Sequence, residues 1–288
     1  MQDATNSSTV TNISSAELRE YLQKHHEREF VLIDVRQSEE YMAGHIPGAR
    51  LIPLNELEAY TEEVKQLAGR RLIFYCRSGG RSARASAWAS QILQLPAVFN
   101  LVGGFMGWDG QVLVDFPRLT PFDLSATAEV LLRRALDLEK GTHHLYERIA
   151  STRQSGVLAD TFSQLVSAEL AHGRAVHQLL MQVSTGDMQG FEETFASLPG
   201  AIIENGMSLD AVLSRAEAIG SLGDMALLEL ALEIELGAYD LYKNLATSVA
   251  SDVAQRALGE LAQQEKGHAD LVLQSIGRLA KEIGRIAS

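Results

Sequence analysis

The sequence predicts an α/β domain followed by an all-α four-helix bundle. Three observations carry this. Short β-favouring apolar runs alternate with helical stretches as far as residue 118 and then stop. Beyond that point apolar residues recur with a 3.6-residue period, the mark of amphipathic helix. The second half also repeats itself: from Glu139 to Glu235 the offset is 96 residues, and it holds without a gap further on. A chain of 288 residues with 46% hydrophobic content is long enough for two separate cores.

The elements follow in order. Met1 to Asn12 is polar and lacks the basic-then-apolar pattern of a signal peptide, so residues 1–12 are read as a disordered tail. Residues 13–118 are read as the α/β domain. Its strands are the runs Glu29–Val35, Arg71–Cys76 and Ala97–Val102, and its helices lie around Ser15–Gln23, Glu56–Leu67 and Arg81–Leu93. Strand and helix alternating in this way predict a largely parallel sheet. The segment Phe116-Pro117-Arg118-Leu119-Thr120-Pro121 reads as a linker, and residues 119–288 as the bundle. No apolar run approaches the roughly 20 residues needed to span a bilayer, so a cytoplasmic location is expected, without membrane contact.

The net charge of −12 is uneven. Residues 1–118 carry 12 basic and 14 acidic side chains, and residues 119–288 carry 13 and 23. So acidic a second half argues against nucleic-acid binding. The single cysteine, Cys76, excludes an intrachain disulfide and any cysteine-rich metal site.

Cys76 sits in the run Phe74-Tyr75-Cys76-Arg77-Ser78-Gly79-Gly80-Arg81-Ser82, between a strand and a helix. A thiol at a helix N-terminus meets backbone N–H groups and the positive end of the helix dipole. Arg77 and Arg81 add positive charge, and all of these favour thiolate. Gly79 and Gly80 permit a tight loop whose amides turn inward, with Ser78 beside them. Such a pocket suits a thiolate, a persulfide or an oxyanion.

Over about residues 13–116 the chain resembles the single-domain rhodanese family. The resemblance rests on this loop, on Asp34-Val35-Arg36, on Gly44-His45-Ile46-Pro47-Gly48-Ala49 and on Gly103-Gly104-Phe105-Met106-Gly107-Trp108. The six residues from Cys76 to Arg81 match the sulfur-transferring members rather than their longer-looped phosphatase relatives. The resemblance implies Cys76 as a nucleophile that takes up a sulfane sulfur as a persulfide. Arg77 and Arg81 would bind an anionic donor such as thiosulfate, with Ser78, Gly79 and Gly80 as the substrate-binding loop. Asp34, Arg36 and His45 are expected to be structural.

In the second half, Glu139 lies within the apolar stripe of the first repeat's leading helix, and Glu235 within that of the second repeat's. Glu169 with His172, and Glu265 with His268, lie within the stripes of the following helices. Six ionisable groups therefore face one apolar core, where an unpaired charge costs several kcal/mol. Four carboxylates without matching inward cations would be neutralised by two divalent ions. Glu-x-x-His places both side chains on one face of a helix, one turn apart. Two such pairs plus one Glu from each remaining helix is the di-iron and di-manganese pattern of ferritin-like bundles, and mixed carboxylate and imidazole ligands suit iron or manganese.

Over about residues 125–280 the chain resembles the rubrerythrin-type ferritin-like family, with Glu139, Glu169, His172, Glu235, Glu265 and His268 at the matching positions. The resemblance implies two iron ions, manganese being the alternative, an external electron donor, and a homodimer through the bundle. It also implies that Tyr146 and Tyr242 hydrogen-bond near the site. Two features depart from the family pattern: the four-cysteine rubredoxin domain is missing there, and Ala238 stands where peroxidase-type members carry a further Glu. His143 is read as structural or as lying behind the ligands, and His144 and His177 as surface residues. The leading functional reading is a sulfurtransferase joined to a di-iron oxidoreductase, in sulfane-sulfur or oxidative-stress chemistry. The alternative is an iron-binding or persulfide-sensing protein without turnover.

Overall fold

The computed structural model describes residues 10–286, with the side chains of its last two residues left aside. The chain divides into two compact units, Met1–Phe116 and Pro117–Ser288. The division falls inside the linker read from the sequence.

The first unit is a five-stranded parallel sheet with helices between its strands. In chain order the elements are β1 (Thr11–Ile13), α1 (Ser15–Lys24), β2 (Phe30–Asp34), α2 (Ser38–Met42), β3 (Ala49–Leu51), α3 (Thr61–Gln66), β4 (Arg71–Tyr75), α4 (Gly80–Ala87) and β5 (Val98–Leu101). The strand order is β1-β5-β4-β2-β3. Both faces of the central strands are covered. Val31, Ile33, Leu72 and Phe74 face one apolar cluster, and Phe30, Leu32, Ile73 and Tyr75 face the other. A sheet buried on both sides needs apolar residues at every position, which is why these strands read as continuous runs. Helix α1 starts at Ser14, whose side chain accepts from Glu17 N–H while Glu17 Oε2 accepts from Ser14 N–H at 2.8 Å. That reciprocal cap fixes the turn out of β1.

Several expectations are corrected here. The tail read over residues 1–12 is too long: Thr11 and Asn12 pair with Phe99 and Asn100 at the sheet edge. Residues 1–9 of that reading lie outside the described residues. Strand β3 was not foreseen, because three residues give too little pattern. The helix read over Glu56–Leu67 begins only at Thr61. The helix read over Arg81–Leu93 widens into a π-helical turn at Trp88–Ile92.

The second unit is helical: α5 (Ala128–Ala150), α6 (Val157–Val183), α7 (Phe191–Ser197), α8 (Leu209–Gly220), α9 (Asp224–Ser248) and α10 (Asp252–Ile286). Helix α5 packs along α6 and α9 along α10, with α6 also packed against α10. Turns of a few residues join each pair, and the segment carrying α7 and α8 connects them. Apolar side chains from α5, α6, α9 and α10 form two clusters rather than one core. Leu132, Leu136, Leu180, Leu245 and Leu258 belong to the first, and Leu145, Phe162, Leu165, Ile234 and Val272 to the second. Along each of the four helices, the acidic residue predicted to face inward falls between the residues of the two clusters. No helix of the described residues is long and apolar enough to cross a membrane.

Candidate functional site

Strand β4 ends at Tyr75, so Cys76 is the first residue past the sheet, and α4 begins four residues later. Gly79 takes the left-handed φ of +100° and turns its N–H back onto Cys76 Sγ at 3.2 Å. The Ser82 hydroxyl lies 3.6 Å from the same sulfur, 3.1 Å from Gly79 O and 2.7 Å from Asn100 Oδ1, so its single proton can serve any one of three acceptors. Burial pushes the Cys76 thiol up, but the Ser82 hydroxyl and the N–H groups of Ser82, Ser78 and Gly79 more than offset it, and the pKa is lowered.

The loop is held from behind. Phe105 N–H donates to Cys76 O at 2.7 Å, and Met106 N–H to Arg77 O at 2.9 Å. A Cβ on Gly104 would lie 2.3 Å from Cys76 O, so only glycine allows this approach. The loop carbonyls thus point to the Gly103–Trp108 segment while its N–H groups point at the sulfur.

Arg77 and Ser78 are exposed at the loop, as is Gly80. Arg81 is held by Glu40, with Nη1 and Nη2 donating to the two carboxylate oxygens at 2.6 and 2.7 Å. This bidentate pair draws the Glu40 carboxyl down to about 2. Glu40, Ser82 and Asn100 were not singled out in the sequence. Nothing in a lone Glu or Asn signals its distant partner. Asp34 and Arg36 form a buried ion pair, Arg36 Nη2 to Asp34 Oδ2 at 2.6 Å, and the same nitrogen donates to Gly44 O at 2.7 Å. His45 stacks on Tyr41 with ring centroids 3.8 Å apart.

A family model described as a rhodanese-like domain matches residues 16–111. The human thiosulfate:glutathione sulfurtransferase is 34% identical over 108 residues, which cover 33% of this chain and 90% of that protein. The chain belongs to the rhodanese-like family. The Bacillus subtilis protein YqhL is 38% identical over 88 residues, 30% of this chain. A crystal structure of a rhodanese-related protein from Thermoplasma volcanium is 29% identical, covers 36% of this chain and 99% of that one, and gives a TM-score of 0.31. The chain spans 65% of YqhL and 28% of the Mycobacterium tuberculosis protein MoeZ. The rhodanese-like domain is followed by a helix-rich remainder.

In that remainder, Glu139, Glu169, Glu235 and Glu265 are fully buried, and His172 and His268 nearly so. The structure brings all six together. His172 Nδ1 lies 3.8 Å from Glu139 Oε2 and 3.5 Å from Glu265 Oε1. His268 Nδ1 lies 3.2 Å from Glu235 Oε2, 3.3 Å from Glu169 Oε1 and 3.4 Å from Glu265 Oε2. The two imidazoles stack with centroids 4.6 Å apart. Two halves result, Glu139 with His172 and Glu235 with His268, and both adjoin Glu169 and Glu265.

The electrostatics are those of crowded acids. Burial first, and then the neighbouring carboxylates, push Glu139 and Glu169 well above the usual carboxylate range. Burial raises Glu235 to about 7. Burial would raise Glu265 too, but His268 and His172 facing it hold it below the usual range. Both oxygens of Glu169 and of Glu265, together with Glu139 Oε2 and His172 Nδ1, lack hydrogen-bond partners. Buried polar atoms are normally paired. Lys140 directs its buried ammonium to the carbonyls of Ala196 and Leu198. This donor set of oxygen and imidazole nitrogen fits the two-ion site expected from the sequence.

The structure adds one residue. Glu204, in the segment between α7 and α8, is fully buried and offers an oxygen to the group formed by Glu139 and Glu169. It has no counterpart in the repeat and no helical periodicity, so the sequence pattern did not reveal it. Tyr242 OH donates to Glu204 Oε1 at 3.0 Å and lies 3.4 Å from Glu139 Oε1. Tyr146 OH donates to Glu235 Oε1. His143 stays outside the group and packs edge-on against Phe195. His177, read as a surface residue, is buried instead, because the turn into α7 brings Gln189 O and Thr194 Oγ1 within 3.3 Å of its Nε2.

Proposed function

We propose that the rhodanese-like domain transfers sulfane sulfur through Cys76, and that the helical unit is a ferritin-like four-helix bundle holding two iron ions in an oxidoreductase site. The observation that carries the first part is the ring of N–H donors around Cys76 Sγ, which stabilises negative charge on sulfur. The human relative's name includes thiosulfate, and a sulfane donor of that kind fits an amide-lined loop beside Arg77. The thiolate attacks the outer sulfur of the donor. A Cys–S–S bond forms, the donor's own S–S bond breaks, and sulfite leaves with its electron pair. An acceptor thiolate then attacks the terminal sulfur and releases the Cys76 thiolate. The N–H groups of Ser78, Gly79 and Ser82 hold the charge in both steps.

The observation that carries the second part is the set of fully buried carboxylate oxygens that lack hydrogen-bond partners and crowd around two histidines. Glu139 and His172 would hold one ion, Glu235 and His268 the other, and Glu169 and Glu265 would lie between them. Bound iron supplies one-electron chemistry toward dioxygen or peroxide, and oxygen-rich ligation favours its oxidised state. Tyr146 and Tyr242 orient Glu235 and Glu139, and the two apolar clusters exclude water on either side. Electrons would come from a separate donor.

Metal analysis of aerobically and anaerobically purified protein, paired with a thiosulfate:cyanide assay, tests both parts. The expected result is about two ions per chain and sulfur transfer that Cys76→Ser abolishes. Protein free of metal under both conditions would overturn the second part, and turnover in Cys76→Ser the first.

A further inference from the structure

The segment between α7 and α8 enters the unit by a specific route. Helices α5 and α9 carry glycines at matching repeat positions, each two residues past an acidic residue: Gly141 after Glu139 and Gly237 after Glu235. A Cβ on Gly141 would lie 2.2 Å from Ile202 O, and a Cβ on Gly237 would lie 2.8 Å from Asn205 Cβ. The two missing side chains leave a slot, and residues 202–205 fill it. The inserted stretch is a tight turn: Gly206 N–H donates to Ile203 O at 2.8 Å and Ile203 N–H to Met207 O at 2.9 Å, with Gly206 at a φ of +76°. Glu204 is within that turn. Its N–H donates to Thr142 Oγ1 at 3.1 Å, which pins the backbone against α5.

The side chain so delivered is fully buried, and its Oε2 has no hydrogen-bond partner. One of its oxygens lies within 4.8 Å of ligand atoms on Glu139 and Glu169. A carboxylate held in place at this depth, with one oxygen free, is neutralised either by a proton or by a cation, and the ligand atoms of Glu139 and Glu169 gathered beside it suit a cation. The connecting segment occurs once while the hairpin occurs twice, so it can complete only one half of a two-ion site.

We propose that Glu204 is a metal ligand of the Glu139–His172 half, and that the two halves therefore bind their ions with unequal affinity. The proposal rests on the two-metal reading given above. It assigns the tighter position to the half with the additional carboxylate.

The test is a Co(II) titration of the metal-free full-length chain, followed by calorimetry and by the visible d–d absorption of the bound ion. The wild type is expected to take up two ions in two resolved steps. Glu204→Gln keeps an acceptor for Tyr242 but removes the anionic oxygen. It should still take up two ions, with the tighter step weakened by at least about tenfold and the other unchanged. Glu204→Asp keeps the charge but shortens the reach; it should weaken the same step and serves if the Gln variant does not fold. Unchanged steps in the folded variant, or equal weakening of both, would overturn the proposal and leave the two-metal reading standing. A wild type that binds no Co(II) would remove that reading, and the proposal with it.

Discussion

Tyr146 donates its hydroxyl proton to Glu235, a carboxylate in the other repeat. Its repeat mate Tyr242 crosses in the opposite sense and approaches Glu139 and Glu204. Each hairpin thus braces an acidic group supplied by its partner. Tyr146→Phe removes the donor and leaves the buried Glu235 oxygen unpaired. It should destabilise the metal-free protein by about 1–3 kcal/mol. Urea denaturation of wild type and variant, both free of metal, would measure this, and coincident curves would contradict it.

Glu169 and Glu265 adjoin both halves of the acidic site. Replacing both with Ala should therefore abolish uptake of both ions, where Glu235→Ala alone should leave one half intact. Elemental analysis after equilibration with ferrous iron under anaerobic conditions gives the answer. Full metal content in the double variant would refute the assignment.

The lowered Cys76 pKa has a kinetic signature. Alkylation of the wild-type thiol near neutral pH should outpace that of free cysteine, and its rate should level off at a lower pH. Ser82→Ala removes the hydroxyl donor and should shift the profile upward, toward the ordinary thiol range. A profile unmoved by Ser82→Ala would show that the backbone N–H groups alone set the thiolate.

The Glu40–Arg81 pair predicts an acid dependence. The Arg81 guanidinium holds the folded Glu40 carboxyl down at about 2, well below the usual carboxylate range. A depressed carboxylate stabilises the fold above its unfolded pKa, and that contribution is lost as pH falls from about 4.5 toward 2. Glu40→Gln should lack that increment, so the gap in melting temperature between wild type and variant should close across this window. The variant also releases Arg81, and its KM for thiosulfate should fall. A KM that rises instead would show that the ion pair holds Arg81 in its working position.

Glycines within helices usually cost stability relative to alanine, by about 1 kcal/mol. Gly267 on α10 has open space where a Cβ would go, and Gly267→Ala should stabilise. Gly141→Ala should do the reverse, because its Cβ would strike Ile202 O. Opposite shifts in melting temperature are the expected result, and a stabilising Gly141→Ala would show that the inserted segment yields easily.

Much of this was legible because it is periodic. The strands around Val31–Ile33 and Leu72–Tyr75 show as unbroken apolar runs, since both sheet faces are covered. Glu169 with His172 and Glu265 with His268 show because helical spacing forces each pair onto one face. Glu204 did not show, since a residue in a single non-repeating turn leaves no pattern along the chain. The signal that existed was indirect: glycines at Gly141 and Gly237, in equal register on two long helices, where nothing local calls for them. Glu40 escaped for a related reason, as its partner Arg81 is 41 residues distant and a lone acid on a short helix is unremarked.

The acidic layer separates two apolar clusters that would otherwise be continuous. Filling its positions with leucine and phenylalanine of matched volume would join them into one uninterrupted hydrophobic column. Buried charges exchanged for well-packed apolar side chains are often neutral or stabilising by about 1–4 kcal/mol. The sequence therefore stands below the robustness that its own scaffold could reach. A laboratory selection for heat resistance alone, with no demand for metal, would be expected to erode Glu139, Glu169, Glu204, Glu235 and Glu265 before the leucines around them.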